Sequence, residues 1–274
     1  MAGGGGTIVS VEPAANWLRR LPVGHARRPL RRLYQAALSV ATLGRGLRRQ
    51  TPSGDTLYVS PAHRHINWNA IEVDAFRRAI APGAIAFDVG ANVGAYSLLL
   101  GRWVGGGGHV FAFEPSPSAF AGLGEHIRLN ALDARVTPVP SAVGGVVGSL
   151  PFIVEPTAGE GRLASSTGGR ATVDVRVTTL DAFCGEHGLS PDFVKVDVEG
   201  AELDVLRGAR RTIARAKGTL ALFVEMHPAI WPERRLTRSD VERELAGLGL
   251  RAESLVPGAD PFELQGVTAR LVPR

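Results

Sequence analysis

The run Ile85-Ala86-Phe87-Asp88-Val89-Gly90-Ala91-Asn92-Val93-Gly94 narrows what this chain can fold into more than any other stretch. Pro82-Gly83 closes a preceding helical segment, so Ile85–Val89 stands as a short apolar strand bounded by turn signals. Val93–Val104 then reads as a helix, which Gly105–Gly108 breaks. Gly90 lets the chain turn sharply at the strand end with no Cβ in the way of a ligand. Gly94 lets the following helix pack closely on the sheet. A strand that passes through such a turn into a helix opens a parallel sheet. Sheets of that kind bind ligands at the carboxyl ends of their strands.

The pattern continues along the chain. Thr56–Val59 reads as a strand and Glu72–Ala81 as a helix, with Val73, Phe76 and Ile80 on one face. His109–Glu114 and Val136–Val139 read as strands either side of a helix over Pro117–Leu129. Residues 142–180 differ: Gly, Ser and Thr alternate with Val, and Val173, Val175 and Val177 keep a period of two, which predicts antiparallel hairpins inserted into the domain. Beyond them come a strand at Phe193–Val196, a helix from Ala201 to about Ala216 and a strand at Leu220–Val224. A helix follows over Ser239–Leu248, with Ser239 as N-cap and Glu242 as its capping-box partner. Strands at Ala252–Val256 and Gly266–Leu271 close the chain. Alternating strands and helices predict an α/β, doubly wound, mostly parallel sheet covered on both faces.

Charge divides the chain in two. Residues 1–50 hold nine arginines and one acid, a net of +8, which leaves residues 51–274 at −3 out of a total of +5. The high pI therefore reflects a basic N-terminal arm, partly disordered or helical, ahead of one domain over 51–274. Within the arm, Leu33–Leu43 reads as an amphipathic helix, and weak contact with a membrane surface through the arm is the sharper alternative to a solvated face. The single cysteine, Cys184, allows no intrachain disulfide and no thiolate metal cluster. No apolar run reaches the length of a membrane span, and the N-terminus lacks the pattern of a cleaved signal. A cytoplasmic location is the expectation.

The glycine turn also points to a ligand. A dinucleotide fingerprint needs glycine where Asn92 stands, and no Gly-Lys-Ser/Thr follows as in a phosphate loop. Asp88, just before the turn, is a poor neighbour for a pyrophosphate and a good one for a cationic amino group. Glu114 ends the next strand, twenty residues past Gly94, where a carboxylate accepts hydrogen bonds from both hydroxyls of a ribose. The asymmetry at Asp88 points to a ligand with an ammonium end, such as S-adenosylmethionine.

At this point the residues match a known family. Residues 51–230 resemble the FkbM-type S-adenosylmethionine-dependent methyltransferases. The matching blocks are Phe87–Tyr96, Phe113-Glu114-Pro115, Asn130, Ser141–Gly144, Thr179-Leu180-Asp181, Val194–Glu202 and Phe223–His227. The most specific is Lys195-Val196-Asp197-Val198-Glu199-Gly200-Ala201-Glu202. The resemblance implies the Rossmann-like methyltransferase fold with a closing antiparallel strand. It also implies methyl transfer to a hydroxyl oxygen of a sugar, glycolipid or natural product. Carried over by position, Asp88, Gly90, Asn92 and Gly94 hold the amino-acid part of the cofactor, Glu114 the ribose, and Ser141 and Ala142 the adenine.

An alcohol acceptor must lose its proton as the new bond forms, and Asp, Glu or His within hydrogen-bond reach serves that step. Asp197, Glu225 and His227 arrive at the carboxyl edge of the sheet and are the catalytic candidates. Glu199 and Glu202 open a helix, and for Glu202 the favoured reading is that it complements the helix dipole. His63 and His65 precede the sheet and read as surface or structural residues. Asp197 with Glu225 or His227 offers ligands for a divalent cation, but nothing in the spacing demands a metal, and none is assigned. The expected acceptor is a small molecule or saccharide bound between 142–180 and 56–70. Nucleic acid is not expected. The competing readings are a nucleic-acid or protein methyltransferase and a non-catalytic cofactor-binding protein.

Overall fold

The computed structural model describes residue 42 and residues 44–154, 161–163 and 172–274. The chain separates into Met1–Gly46 and a body, Leu47–Arg274. Most of the basic segment, with the helix expected at Leu33–Leu43 except for Thr42, lies outside the described residues. Its last four residues do not extend an arm. Leu47–Gln50 form β1, which pairs antiparallel with β2 (Thr56–Val59).

The body builds around β3 (Ile85–Val89), β4 (His109–Phe113), β5 (Val136–Val139), β10 (Phe193–Val196), β11 (Ala221–Met226), β12 (Leu250–Ser254) and β13 (Val267–Pro273). They form one sheet in the order β12-β13-β11-β10-β3-β4-β5. β3, β4, β5, β10 and β11 run parallel, and β13 runs antiparallel between β11 and β12. This is the mostly parallel, doubly wound sheet that the strand–helix alternation predicts, with the closing antiparallel strand that the family resemblance implies.

The helices are α1 (Ala70–Ala79), α2 (Ala95–Trp103), α3 (Pro117–Leu129), α4 (Leu180–His187), α5 (Glu202–Arg207), α6 (Arg210–Ala216) and α7 (Arg238–Gly247). They cover both faces, so the central strands are apolar on both sides. Ala86 and Phe193 join the cluster under α1 and α2, whereas Phe87, Val194 and Val196 join the cluster under α4 and α5. Phe76 of α1 stands edge-on to Phe193 and Phe223, with ring centroids 5.6 and 4.9 Å away.

Two expected helices are revised. The helix expected over Ala201–Ala216 is two helices, α5 and α6. Gly208 sits between them, so close to the carbonyl of Gly144 that a Cβ would lie 2.2 Å from its oxygen. The Asp181 carboxylate then accepts from the backbone N–H groups of Arg211 and Thr212, at 2.9 and 2.7 Å, and caps α6 from another element. α7 starts one residue earlier than expected. Its N-cap is Thr237, and the capping box closes with Asp240, not Ser239 with Glu242.

The segment inserted after β5 forms its own four-stranded sheet. β6 (Ala142–Val143), β7 (Gly148–Val154), β8 (Gly161–Leu163) and β9 (Thr172–Thr178) lie in the order β6-β9-β7-β8. The β7 pairings are antiparallel as expected, whereas β6 pairs with β9 in parallel. Ala142, Phe152, Leu163, Val175 and Val177 form its small core.

The register of the main sheet brings four strand ends level. Val89 pairs with Phe113 and with Val196, and Val196 with Val224. Gly90, Glu114, Asp197 and Glu225 each come directly after one of these residues and stand at one height along the carboxyl edge.

Candidate functional site

The turn after β3 is held by three strands. The N–H groups of Gly90 and Ala91 both donate to the Phe113 carbonyl, at 3.1 and 2.9 Å. Gly90 has φ +81°, and a Cβ there would fall 1.7 Å from the carbonyl oxygen of Asp197. The requirement at this position is therefore close approach to the end of β10, beyond freedom of φ. Asn92 also lies in the left-handed region, at φ 49°, which asparagine tolerates better than most residues. Its N–H donates to Glu114 Oε2 at 2.8 Å.

Glu114 completes that turn. Its other oxygen, Oε1, accepts from the Ser116 N–H at 2.7 Å. Burial pushes the carboxyl up to about 7, against the Ser116 and Asn92 N–H groups, which favour the anion. Each oxygen keeps a second lone pair for a ligand. Beside Glu114 lies a cleft that is open to solvent. One wall is apolar, from Ala142, Val143, Phe152 and Leu163. The rest comes from the turn, at Gly90 and Asn92, and from the segment after β10, including Asp197 and Glu199.

The structure distributes the expected cofactor residues between the cleft and its support. Gly90, Asn92, Glu114 and Ala142 line the cleft. Gly94 caps α2 at φ +91° against Leu123. Ser141 turns its hydroxyl to the carbonyls of Ala142 and Arg176. Asp88 is 1% exposed and lies beneath the turn. Ser97 Oγ donates to its Oδ2 at 2.6 Å, while its Oδ1 has no hydrogen-bond partner and faces Lys195 Nζ at 3.9 Å.

Lys195 links Asp88 to the catalytic candidates. It points from β10 into the face under α1 and α2 and is 2% exposed. Its Nζ lies 3.2 Å from Asp197 Oδ2 and over the Tyr96 ring, 5.0 Å from the centroid. Burial opposes its charge, but Asp197 and Asp88 hold its pKa above the usual ammonium range. Burial likewise opposes the Asp197 anion, yet Lys195 and His227 hold that carboxyl below its ordinary value.

The second strand end brings Glu225 and His227 to the same place. His227 Nε2 faces Glu199 Oε2 at 3.4 Å and both Asp197 Oδ1 and Glu225 Oε1 at 3.8 Å. Its Nδ1 bonds Glu202 Oε1 at 2.7 Å. Burial works against the imidazolium, but the Glu202 bond and the charges of Glu202, Glu199 and Asp197 push His227 up to about 9. Burial and the Asp197 charge push Glu225 up to about 8.

Glu202 corrects the sequence reading. It opens α5, where an acid suits the dipole, but it is 1% exposed and its carboxylate is fully engaged. Besides His227 it accepts from the Gly200 N–H at 2.7 Å and from Trp231 Nε1 at 3.4 Å. Two further residues carry signals that a single sequence does not separate from packing. One is Lys195, a lysine inside an apolar strand. The other is His126, whose Nδ1 bonds the Val93 carbonyl at 2.6 Å and whose Nε2 accepts from the Ser60 N–H at 3.0 Å. His126 thereby ties the end of β2 to the glycine turn. His63 packs edge-on against it, 5.1 Å between centroids, and His65 is exposed.

Several known proteins resemble this chain. The sequence model of the methyltransferase FkbM domain matches residues 88–251. The hexuronic acid methyltransferase AglP of Haloferax volcanii is 29% identical over 177 residues, which is 64% of this chain and 70% of AglP. The methyltransferase sdnD of Sordaria araneosa is 29% identical over 44% of this chain and 58% of its own length. A crystal structure of methyltransferase FkbM from Methylobacillus flagellatus superposes with a TM-score of 0.46 at 16% identity, covering 73% of this chain and about half, 51%, of that one. No described helix is long and apolar enough to cross a membrane.

Proposed function

The chain belongs to the FkbM methyltransferase family, and we propose that it transfers the methyl group of S-adenosylmethionine to an oxygen of a sugar or sugar-like natural product. The observation that carries the choice of cofactor is the charge of the cleft. Its described lining includes three carboxylates, from Glu114, Asp197 and Glu199, and no basic side chain. That set suits a ligand with sulfonium and ammonium groups and repels a phosphate.

When bound, S-adenosylmethionine supplies an electrophilic methyl, which passes to the acceptor oxygen while the bonding pair stays on sulfur. Glu114 accepts from the ribose hydroxyls, and Ala142, Val143 and Phe152 provide the apolar wall for the adenine. Most of the protein's contribution to such a displacement is positioning. The remaining task is the acceptor's proton. Asp197, Glu225 and His227 stand together where the cleft meets the carboxyl edge, and Asp197 belongs to both groups. We assign to these three the activation of the acceptor hydroxyl. A sugar acceptor is favoured because AglP, named for a hexuronic acid, aligns with this chain over 177 residues.

The test is direct. Glu114→Ala leaves ribose hydroxyls unpaired and is expected to weaken S-adenosylmethionine binding by about 1–3 kcal/mol, measured by calorimetry. Unchanged affinity in that variant removes the assignment of Glu114 to the ribose, and no measurable binding to the wild-type protein removes the cofactor assignment. Labelled cofactor incubated with saccharide fractions then identifies the acceptor.

A further inference from the structure

We propose that Asp197, Glu225 and His227 bind one divalent cation, of the Mg²⁺ or Mn²⁺ class, beside the cofactor cleft. One ligand atom from each of the three lies within 4.8 Å of the other two. They come from the ends of β10 and β11, which pair in parallel register, so the backbone beneath them is rigid.

An independent observation comes from His227, whose side chain is only 3% exposed. Its Nδ1 is taken by Glu202 at 2.7 Å, which directs Nε2 at the carboxylates. A carboxylate on the far ring nitrogen is the support that metal-ligating histidines use. The Nε2 contacts are 3.4 Å to Glu199 and 3.8 Å to Asp197 and Glu225, longer than the roughly 2.7–2.9 Å of a charge-assisted hydrogen bond. Adjacent ligand atoms about 2.0–2.2 Å from a shared cation sit about 3–3.5 Å apart, so occupancy draws in the His227 contacts at 3.8 Å by about 0.3–0.8 Å and a pair at the 4.8 Å limit by about 1–2 Å.

Charge points the same way. Lys195 engages Asp197 through Oδ2, which leaves Oδ1 on the His227 side. Asp88, Asp197, Glu199, Glu202 and Glu225 gather around Lys195 and around His227, which ligates a metal as the neutral imidazole. A divalent cation offsets part of that excess of acids. Two carboxylates with one imidazole suit Mn²⁺ better than Ca²⁺.

Only the use of the site rests on the methyl-transfer reading. A cation there takes the acceptor hydroxyl oxygen as a further ligand and lowers its pKa. The proton leaves to water, and the oxygen then carries the electron pair that forms the new O–CH₃ bond as the S–CH₃ bond breaks.

The experiment uses the full chain, stripped with EDTA and titrated with MnCl₂ while free Mn²⁺ is followed by electron paramagnetic resonance. S-adenosylmethionine binding is measured in parallel by calorimetry. One saturable Mn²⁺ site per chain is expected. Asp197→Asn and Glu225→Gln should each weaken it at least about tenfold, and Glu202→Gln, acting through His227, about 10–100-fold. The proposal is overturned if the wild-type protein binds S-adenosylmethionine but takes up no Mn²⁺ saturably, with or without that cofactor. It is also overturned if all three variants keep the wild-type Mn²⁺ affinity. Saturable Mn²⁺ uptake without S-adenosylmethionine binding supports the metal site and overturns the cofactor reading instead.

Discussion

Replacing Gly90 with alanine isolates the contact that joins the glycine turn to the catalytic candidates. Three glycines with positive φ make a graded series. At Gly83, φ +88°, an added Cβ meets nothing within 4 Å. Gly83→Ala therefore carries only the left-handed backbone penalty of about 1–2 kcal/mol. At Gly94 the Cβ would sit 2.7 Å from Leu123 Cδ1, the far end of a flexible side chain that can shift. At Gly90 it would sit 1.7 Å from the Asp197 carbonyl oxygen and 2.8 Å from its carbon. Backbone at the end of a central strand must then move, which adds about 1–3 kcal/mol of overpacking. The expected loss is about 2–5 kcal/mol, within the roughly 5–15 kcal/mol stability of a typical domain, so the variant still folds. Urea denaturation followed by circular dichroism should rank midpoints Gly83→Ala, then Gly94→Ala, then Gly90→Ala, with unchanged slope. Because Asp197 moves with the turn, Gly90→Ala should also lose cofactor affinity, which Gly83→Ala should keep. If Gly90→Ala is no less stable than Gly83→Ala, the close approach has no energetic weight and Asp197 does not constrain the turn.

Stability of the metal-free, cofactor-free protein should fall as pH rises from about 5 to 9. Glu114 and Glu225 keep their protons to about 7 and 8 when folded but release them near 4.5 when unfolded, so the unfolded chain binds fewer protons between those values. His227, raised from 6.5 to about 9, contributes stability that is present below 6.5 and lost as pH rises through 9. Denaturation midpoints at pH 5, 7 and 9 check this, and a flat or rising profile contradicts it. At α7, Thr237→Ala should lose about 1 kcal/mol and Ser239→Ala much less, since Thr237 carries the cap. Equal losses would place the cap elsewhere.

The strands Ile85–Val89, Val136–Val139 and Phe193–Val196 and the helix Pro117–Leu129 lie where the sequence pattern places them. Each is bounded by local signals: an apolar run of fixed period and a glycine, proline or polar residue that ends it. α7 shows the limit of such signals. Thr237-x-x-Asp240 and Ser239-x-x-Glu242 offer two capping frames two residues apart. The frame the chain adopts buries Val241 and Leu245 against the sheet, and that preference belongs to packing. The break between α5 and α6 likewise depends on Gly144 and Asp181, both from outside the helix.

The site divides in the same way. The turn Asp88–Gly94, the acid at Glu114 and the residues Asp197, Glu225 and His227 are legible in the sequence because each lies at a strand end, and strand ends are readable locally. Tertiary structure alone decided what those side chains face. Pairing of Val89 with Val196 sets the Asp197 carbonyl against Gly90, which places Lys195 between Asp88 and Asp197 beneath the cleft. The fold also turns Glu202 from a helix-end acid into the buried partner of a histidine 25 residues away. Charge and burial act across strands, between residues far apart in the sequence, as Asp88 and Lys195 are. The protonation and orientation of the site therefore come from the register of the sheet, while its location comes from the order of residues along each strand.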